Sequence, residues 1–531
     1  MADERSIRDV RLEKLQRMRE LGCDPFKQEH FVRTRSAQQM LDRFEGLEGE
    51  TVAYAGRVVS YRLMGKAGFA HVSDGDAKIQ VYFRKDDLTE TEWELYNLLD
   101  IGDHVGVTGE LFRTKTGEKS IHARSLIVLS KCLEPLPIGK EKDGQIFYGL
   151  SDTEQRYRHR HLDLLANPEA RAMLINRARI TAAVRHYFDS QGYLEVETPM
   201  LQVQAGGATA RPFTTHYNAY EMDMKLRISL ELYLKRIICG DVPKVYEIGR
   251  VFRNEGLSNR HNPEFTLIEF YEAYANLEDM MTRMEECFRF VAKEVFGTET
   301  VRIGGLEDSR TEENPSNPPI LQSSSPAFLD FSKPWRRVDL LTEIESHTGL
   351  TEAELSSLET AVAAARAKDV EGKAKAKGAF IDLKKENNLG GFIEKLLEVF
   401  VEPTLQEPTF VIGYPLETSP LAKKDPNRPG FTRRFEGYVL GREICNAFSE
   451  INDPIDQRER FEDQLSQMAK GNDEAHGMDE EFIYALECGM PPTGGCGFGI
   501  DRMAMLLTGA EHIREIMFFP TMRPEKGPAE E

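Results

Sequence analysis

Three stretches of this chain concentrate the side chains that could do chemistry. The first, VYEIGRVFRNEG followed by SNRHNP and EFTLIEFYEAY, reads as two antiparallel strands joined by a long charged loop. Side chains alternate along a strand, so Phe265, Leu267, Glu269 and Tyr271 share one face, setting an aromatic ring, a carboxylate and a phenol together. Arg253 and Glu255 share parity, and Arg260 and His261 crowd the same hairpin. A lone strand arginine is most often a surface residue; the concentration is what points to a function. The second stretch, RFEGYVLGREICNAFSEINDP, places Asn446, Phe448 and Glu450 at intervals of two, on a common face if the strand is regular. Glu443 has the opposite parity and needs a bulge, or a position at the strand's start, to join them. Carboxylates among Ile444, Ala447 and Phe448 are costly to bury unpaired, so they are expected to meet cations. The third, PPTGGCGFGIDRMAMLLTG, is a glycine-rich strand running into an apolar helix with Asp501 and Arg502 in its first turn. Asp501 fits an ordinary helix cap, while the glycines allow close approach by a ligand and Arg502 could hold a phosphate.

The usual nucleotide signatures are missing: no G-x-x-x-x-G-K-S/T occurs, and GGCGFGIDR does not fit G-x-G-x-x-G. Any nucleotide site must be built another way. With 68 Lys plus Arg against 88 Asp plus Glu, the net charge of −20 argues against indiscriminate binding to polyanions or anionic membranes, so a nucleic acid needs a local basic patch. Seven scattered cysteines without a C-x-x-C pair indicate neither a disulfide framework nor a zinc site. No run of about 18 apolar residues occurs and the polar start lacks a signal peptide's apolar segment, so a cytoplasmic, membrane-free protein is expected.

The elements that must position these residues fall into several domains, as 531 residues require. Residues 4–21 read as a helix with Ile7, Val10, Met18 and Leu21 on one side, within an N-terminal helical extension over 1–50. Five β-rich runs over 51–130, with the helical TEWELYNLL between the third and fourth, suit an OB barrel over 51–135, although a generic small barrel fits the same order. After a linker at 136–150, residues 151–524 alternate helices and strands without a βαβ rhythm. That favours an α+β domain on an antiparallel sheet flanked by helices. In it, a helix ending at Gly192 leads into the strand YLEVETP, which Pro199 terminates. Residues 305–327, rich in Ser, Pro, Asn and Glu, read as a disordered insertion, and the Ala- and Lys-rich 351–377 as a helical excursion.

Taken together, GYLEVETP, VFRNEG with RHNPEF, and GFGIDRMAM resemble motifs 1, 2 and 3 of the class II aminoacyl-tRNA synthetases. GGATARPF, LRISLELYLKR, ETSPLAKK and REICNAFSEINDP resemble the bacterial-type lysyl enzymes in particular, the resemblance running from about residue 50 to 524 apart from the insertions. It implies that motif 1 lies at a homodimer interface and that bent ATP lies on the sheet. Arg253 would contact the α-phosphate and the lysine carboxylate, Phe265 would stack on adenine, Glu255, Arg260 and His261 would help hold the nucleotide, and Arg502 would contact the γ-phosphate. Glu436 and Glu443 match the magnesium ligands. The resemblance puts Glu450 and Tyr271 at the lysine ε-ammonium, Glu231 and the Gly207 backbone at the α-amino group, Asn446 and Phe448 along the side chain, and Glu269 and Gly497 in the same pocket. Arg62, Phe69 and Gln80 match positions that read the uridine-rich anticodon of tRNA-Lys; Phe69 alone would also fit core packing.

The implied reaction joins L-lysine to ATP, releases pyrophosphate, and passes the lysyl group from the adenylate to the tRNA's terminal ribose. Buried acceptors reject an uncharged analogue that leaves them unsatisfied, and an aspartate pocket would want a cation instead. Departures from common family forms are Ser229-Leu230 for Ala-Pro, Gly494 for Ala, and Cys496 for a larger apolar residue. Three rivals remain: a paralogue that attaches lysine to a protein, which would lack the barrel; an inactive RNA-binding homologue, which would lack Arg253, Arg502 or the glutamates; and an aspartyl or asparaginyl relative, which would lack the acidic pocket.

Overall fold

Period-two alternation of apolar residues builds the first unit's core. In the computed structural model, which describes residues 6–138, 140–142, 145–147, 149–208, 210–302, 328–469 and 477–525, the chain divides into two compact units, Met1–Pro168 and Glu169–Glu531. The expected insertion at 305–327 lies outside the described residues, as does part of the linker. The unit begins with helix α1 (Ile7–Glu20). Strands β1 (Thr51–Met64), β2 (Ala67–Ser73), β3 (Lys78–Arg84), β4 (His104–Arg113) and β5 (Lys119–Ser130) follow, with α2 (Glu90–Asn97) between β3 and β4. They form a closed barrel in the order β1-β2-β3-β5-β4, β4 pairing back on β1. Val52, Tyr54, Ala70, Val72, Val105 and Val107 point inward, and Trp93 and Tyr96 of α2 join the same core. A reciprocal capping box between Thr89 and Glu92 starts α2. This is the OB fold, with β3 and β5 as its parallel pair.

The expected apolar side of α1 holds in part: Met18 is buried in the barrel core and Leu21 packs against it, but the rest of that side is not covered. Ile7 and Val10 are 57% and 39% exposed, whereas Leu15, Met18 and Arg11 are buried. Arg11 is tolerated because its guanidinium donates to the carbonyls of Cys132, Glu134 and Ile101.

The second unit is built on an eight-stranded sheet. Its elements include α3 (Pro168–Ser190), β6 (Leu194–Glu195), α4 (Glu231–Cys239), β7 (Lys244–Phe252), β8 (Glu264–Ala273), α5 (Leu277–Phe296), β9 (Arg336–Asp339), α6 (Leu358–Ala367), α7 (Val370–Ala376), α8 (Leu389–Leu396), β10 (Thr409–Ile412), β11 (Arg434–Val439), β12 (Arg442–Ser449), β13 (Thr493–Gly499) and α9 (Ile500–Thr508). The strand order is β9-β10-β11-β12-β13-β8-β7-β6. Every pairing from β10 to β7 is antiparallel, but β9 with β10 and β7 with β6 are parallel. The sheet is therefore mixed at its edges, not wholly antiparallel. Parallel neighbours need long crossovers, which the segments 196–243 and 340–408 supply.

One face of the sheet packs its alternate residues Ile268, Phe270, Cys496 and Phe498 against Phe188 of α3 and Met280 and Phe288 of α5. The other face is left for the site. The Ala-rich 351–377 segment forms α6 and α7, whose Ala361, Ala365, Val370 and Ala374 pack in one cluster with Phe392 and Leu396 of α8.

Candidate active site

A cavity of about 1420 Å3 covers the face of the sheet that α3 and α5 leave open. Phe265, Leu267, Glu269 and Tyr271 of β8 all line it, as their shared parity requires. Asn446 and Phe448 of β12, and Glu450 just after it, meet them across β13. β13 is what makes room. A Cβ at Gly495 would stand 2.0 Å from Glu450 Oε1 and 2.4 Å from Tyr271 Cε1, and one at Gly497 would stand 3.1 Å from Glu269 Cγ. The glycines thus give space to the protein's own acidic side chains as well as to any ligand. Glu443 reaches the cavity through a bulge: Gly437 pairs with Cys445 and Tyr438 with Glu443, leaving Ile444 unpaired. This settles the parity conflict in the sequence.

At one end the cavity is an acidic pocket. Glu231, Glu269, Glu450 and Tyr271 are all buried there. Glu269 accepts from Ser229 Oγ at 2.8 Å, Leu230 N at 3.2 Å and Tyr271 OH at 3.1 Å. An Ala-Pro pair could make neither of the first two bonds, so the departure at 229–230 fastens this carboxylate. Burial and the nearby Glu231 still push Glu269 up to about 7. Glu450 Oε2 is in ion contact with Lys235 Nζ, while Oε1 accepts no hydrogen bond among the described residues. Burial, opposed by Lys235 and reinforced by Glu231, holds its pKa well above the carboxylate range. Gly207, at φ +87°, brings its backbone to the same pocket beside Ser229 and Glu231. Asn446 has its carbonyl oxygen held by Arg434 Nε at 3.0 Å, which leaves the amide NH2 to donate.

The other end is cationic. The Arg253 guanidinium lies 5.2 Å from the centre of the Phe265 ring, and its Nε donates to Ile228 O. Arg502 Nη1 donates to both the carbonyl and Oε2 of Glu443 at 2.8 Å, and its Nη2 lies 3.4 Å from His261 Nε2. Glu255, Arg260 and His261 line the rim, where Ser258 Oγ bonds His261 Nδ1. Asp501 is not a cap. Its carboxylate accepts from Arg177 Nε and Nη2 and from Thr266 N, tying α3 and β8 to the start of α9. That anchoring aims its neighbour Arg502 at the cavity.

Glu436 and Glu443 also line the cavity, Glu443 against Arg502 and Glu436 against Arg434. Burial works against ionising Glu443, but Arg502, Arg253 and Arg434 outweigh it and hold its carboxyl below the ordinary range. Glu436 accepts from Arg434 Nη2, Tyr414 OH and Tyr438 OH, yet burial and Glu443 raise it against the pull of Arg434. Glu402 is raised to about 7 by burial and by both of these glutamates. Hard oxygens that repel one another suit a divalent cation. No group of three or more His, Cys, Asp or Glu that could hold a metal ion occurs among the described residues. Two carboxylates completed by phosphate oxygens and water fit magnesium chemistry.

Lys235, Glu402, Arg434 and Ser229 are site residues that reading the sequence missed. The signals were present: Lys235 follows Glu231 by four residues on a helix, and Arg434 precedes Glu436 by two on a strand.

The family described as tRNA synthetases class II (D, K and N) matches residues 152–523. That described as an OB-fold nucleic acid binding domain matches residues 52–129. The lysine–tRNA ligase of Syntrophomonas wolfei is 48% identical over 523 residues, covering 98% of both chains. That of Bacillus subtilis is 45% identical over 521 residues, 97% of this chain and 96% of its own. That of Halalkalibacterium halodurans is 46% identical over 541 aligned positions, covering all of both. The chain belongs to the lysine–tRNA ligases of class II.

In a lysine–tRNA ligase the crowding behind Gly495 becomes a test of the pocket. Gly495→Ala drives a methyl group into Glu450 and Tyr271, and displacements of about 1 Å cost about 10²-fold in rate. Lysine-dependent pyrophosphate exchange should fall by about that factor while the KM for ATP changes little. A variant as active as the parent would show that these two side chains can move without consequence.

In the barrel of this lysine–tRNA ligase, Arg62 is exposed and pairs in register with Phe69, which sits on the outer face opposite the buried Gly68 and Ala70. Phe69 is thus not core packing. Its ring lies 5.0 Å from Tyr82, which in turn neighbours Phe112 and His122, so a half-buried aromatic platform stands where one ring was expected. Gln80 is buried and tied at both ends, its Nε2 to Glu118 and its Oε1 to Ser120.

Proposed function

We propose that the enzyme binds L-lysine in the acidic pocket and ATP across the cationic end, forms lysyl-adenylate, and passes the lysyl group to tRNA-Lys. The single observation that supports lysine is Glu450: a buried carboxylate, one oxygen of which has no hydrogen bond among the described residues, facing a cavity that also holds Arg253. Lys235 offsets only one of the pocket's three carboxylates, and burying the rest is costly unless further cations meet them. In this reading the ε-ammonium lies between Glu450 and Tyr271, the α-amino group meets Glu231 and the Gly207 backbone, and Asn446 and Phe448 hold the methylene chain, with Glu269 and Gly497 completing the wall. An aspartate or asparagine substrate would bring no second ammonium to these carboxylates.

Adenine stacks on Phe265 beside Arg253. Arg253 neutralises the α-phosphate and the lysine carboxylate, Arg502 the γ-phosphate, and Glu255, Arg260 and His261 steady the nucleotide. The carboxylate oxygen of lysine attacks the α-phosphorus and pyrophosphate leaves. No protein nucleophile is needed, because positioning and charge neutralisation dominate such a transfer. Glu436 and Glu443 would hold Mg2+, which neutralises phosphate charge when bound. A terminal ribose oxygen of the tRNA then attacks the lysyl carbonyl and AMP leaves. Leu194 in the motif 1 segment and Met200, Leu201 and Val203 just after it are exposed and supply an apolar face suited to a homodimer. Among the described residues no helix is long and apolar enough to cross a membrane. The reading places the enzyme with translation, in the cytoplasm.

Charging a total tRNA pool tests the reading: lysine should appear on the lysine isoacceptors alone, and lysine found on a protein acceptor, or on nothing, would refute it. Phe69 is assigned to stacking on an anticodon base. Phe69→Ala should lower charging by about tenfold, the loss of one stack, while leaving lysine-dependent pyrophosphate exchange unchanged. Equal losses in the two assays would remove the barrel from anticodon reading.

A further inference from the structure

The proposed chemistry makes no use of Lys235. It lies one helical turn after Glu231 on α4, so both project from the same face. Its side chain is 0% exposed. Nζ bonds Glu231 Oε1 at 2.5 Å and is in ion contact with Glu450 Oε2. The rings of Phe448, Phe482 and Tyr271 lie 5.2, 5.9 and 6.0 Å from it. The charged and titratable groups facing this cluster are Glu231 and Cys239 from α4, Glu269 and Tyr271 from β8, Glu450 after β12, and Arg434 of β11, which acts on Glu231.

The three carboxylates of the pocket, Glu231, Glu269 and Glu450, against the one ammonium of Lys235 leave two negative charges when all are ionised, the Arg434 guanidinium being paired with Glu436 at 2.6 Å. A diamino acid brings two ammonium groups. We propose that Lys235 is a positioning and specificity residue: clamped between Glu231 and Glu450, it fixes at two the negative charges the pocket presents, so that the ligand must bring two cations. This rests on the reading of the pocket as the lysine site and deepens it.

The electrostatics agree with the geometry. Burial opposes the charge on Lys235, but Glu231 and Glu450 outweigh it and raise its pKa. Conversely, Lys235 pulls down both carboxylates, which burial pushes up. Without it they take up protons more readily, and a protonated carboxyl accommodates a neutral side chain. The sign follows from linkage. A carboxylate raised in the free pocket must be ionised to meet an ammonium, so lysine binding weakens as pH falls through that raised pKa. Removing Lys235 raises it further and moves the weakening to higher pH.

The experiment measures the KM for lysine from about pH 6.5 to 9 in the parent and in Lys235→Met, with norleucine as the neutral competitor. The variant should lose about tenfold in lysine affinity for each pH unit below a midpoint shifted upward, recover at high pH, and discriminate against norleucine at least tenfold less well. A loss of the same size at every pH would mark a merely structural lysine and overturn the proposal. Where Lys235→Met folds poorly, its melting temperature is compared with that of Lys235→Met/Glu450→Gln. Removing both charges should restore stability that removing one loses. A double variant that melts no higher than the single one overturns the proposal. No ligand enters the melting comparison, so it reports on Lys235 even if the parent enzyme fails to activate lysine, a result that would sink the lysine reading instead.

Discussion

Arg253→Ala is expected to lower kcat/KM for lysine-dependent pyrophosphate exchange by about 10³-fold, the upper end of what one preorganised donor contributes at a developing charge. The guanidinium is set between the Phe265 ring and the Ile228 carbonyl, and shares its surroundings with Glu255, Glu443 and Arg502. It therefore reaches the cavity pre-oriented, at the junction of the acidic and cationic ends. Arg253→Lys should recover only part of the loss, since a point charge cannot reproduce a planar fork that serves two anions at once. Steady-state exchange with both variants, alongside thermal melting to confirm folding, decides the matter. A fall of less than tenfold for the alanine variant would move Arg253 away from the reacting phosphate.

Glu450→Gln is expected to have the second largest effect. The substitution keeps the shape of the side chain and removes only its charge, so the ATP half of the cavity is left as it is. Losing one partner of a buried charge pair costs about 3 kcal/mol, equivalent to about 10²-fold in kcat/KM for lysine. The KM for ATP should stay within about threefold of the parent, because the cationic end is held by other residues. If lysine kinetics are unchanged, Glu450 is not the partner of the ammonium. If both substrates suffer alike, the two ends of the cavity are not separable.

What could be read from the residues, and what could not, follows from how each feature is determined. The face formed by Phe265, Leu267, Glu269 and Tyr271 was legible because parity along one strand is a local property. So was the barrel, whose five strands and intervening helix carry their own alternation and capping signals. The bulge at Ile444 was not, because it is a property of the pairing between β11 and β12 and no single strand's residues specify it. The parallel edges of the sheet depended on where long connections bring the chain back. In α1 the apolar side was only partly legible: Met18 and Leu21 lie on it, but Arg11, which composition assigns to solvent, is buried because it has backbone carbonyls to bond. Lys235 was hard to read for a similar reason: a lysine in a helix ordinarily reads as solvated even four residues after a glutamate, and only Glu450, arriving from beyond β12 to join Glu231, makes its burial tenable.

The central claim, that a buried acidic pocket beside an arginine-held nucleotide selects a dicationic amino acid, is tested most directly by ATP–pyrophosphate exchange with each of the twenty amino acids in turn. Exchange should depend on lysine, with aspartate, asparagine and glutamine at least about 10³-fold weaker in kcat/KM. Exchange supported by aspartate or asparagine, or by no amino acid at all, would contradict it.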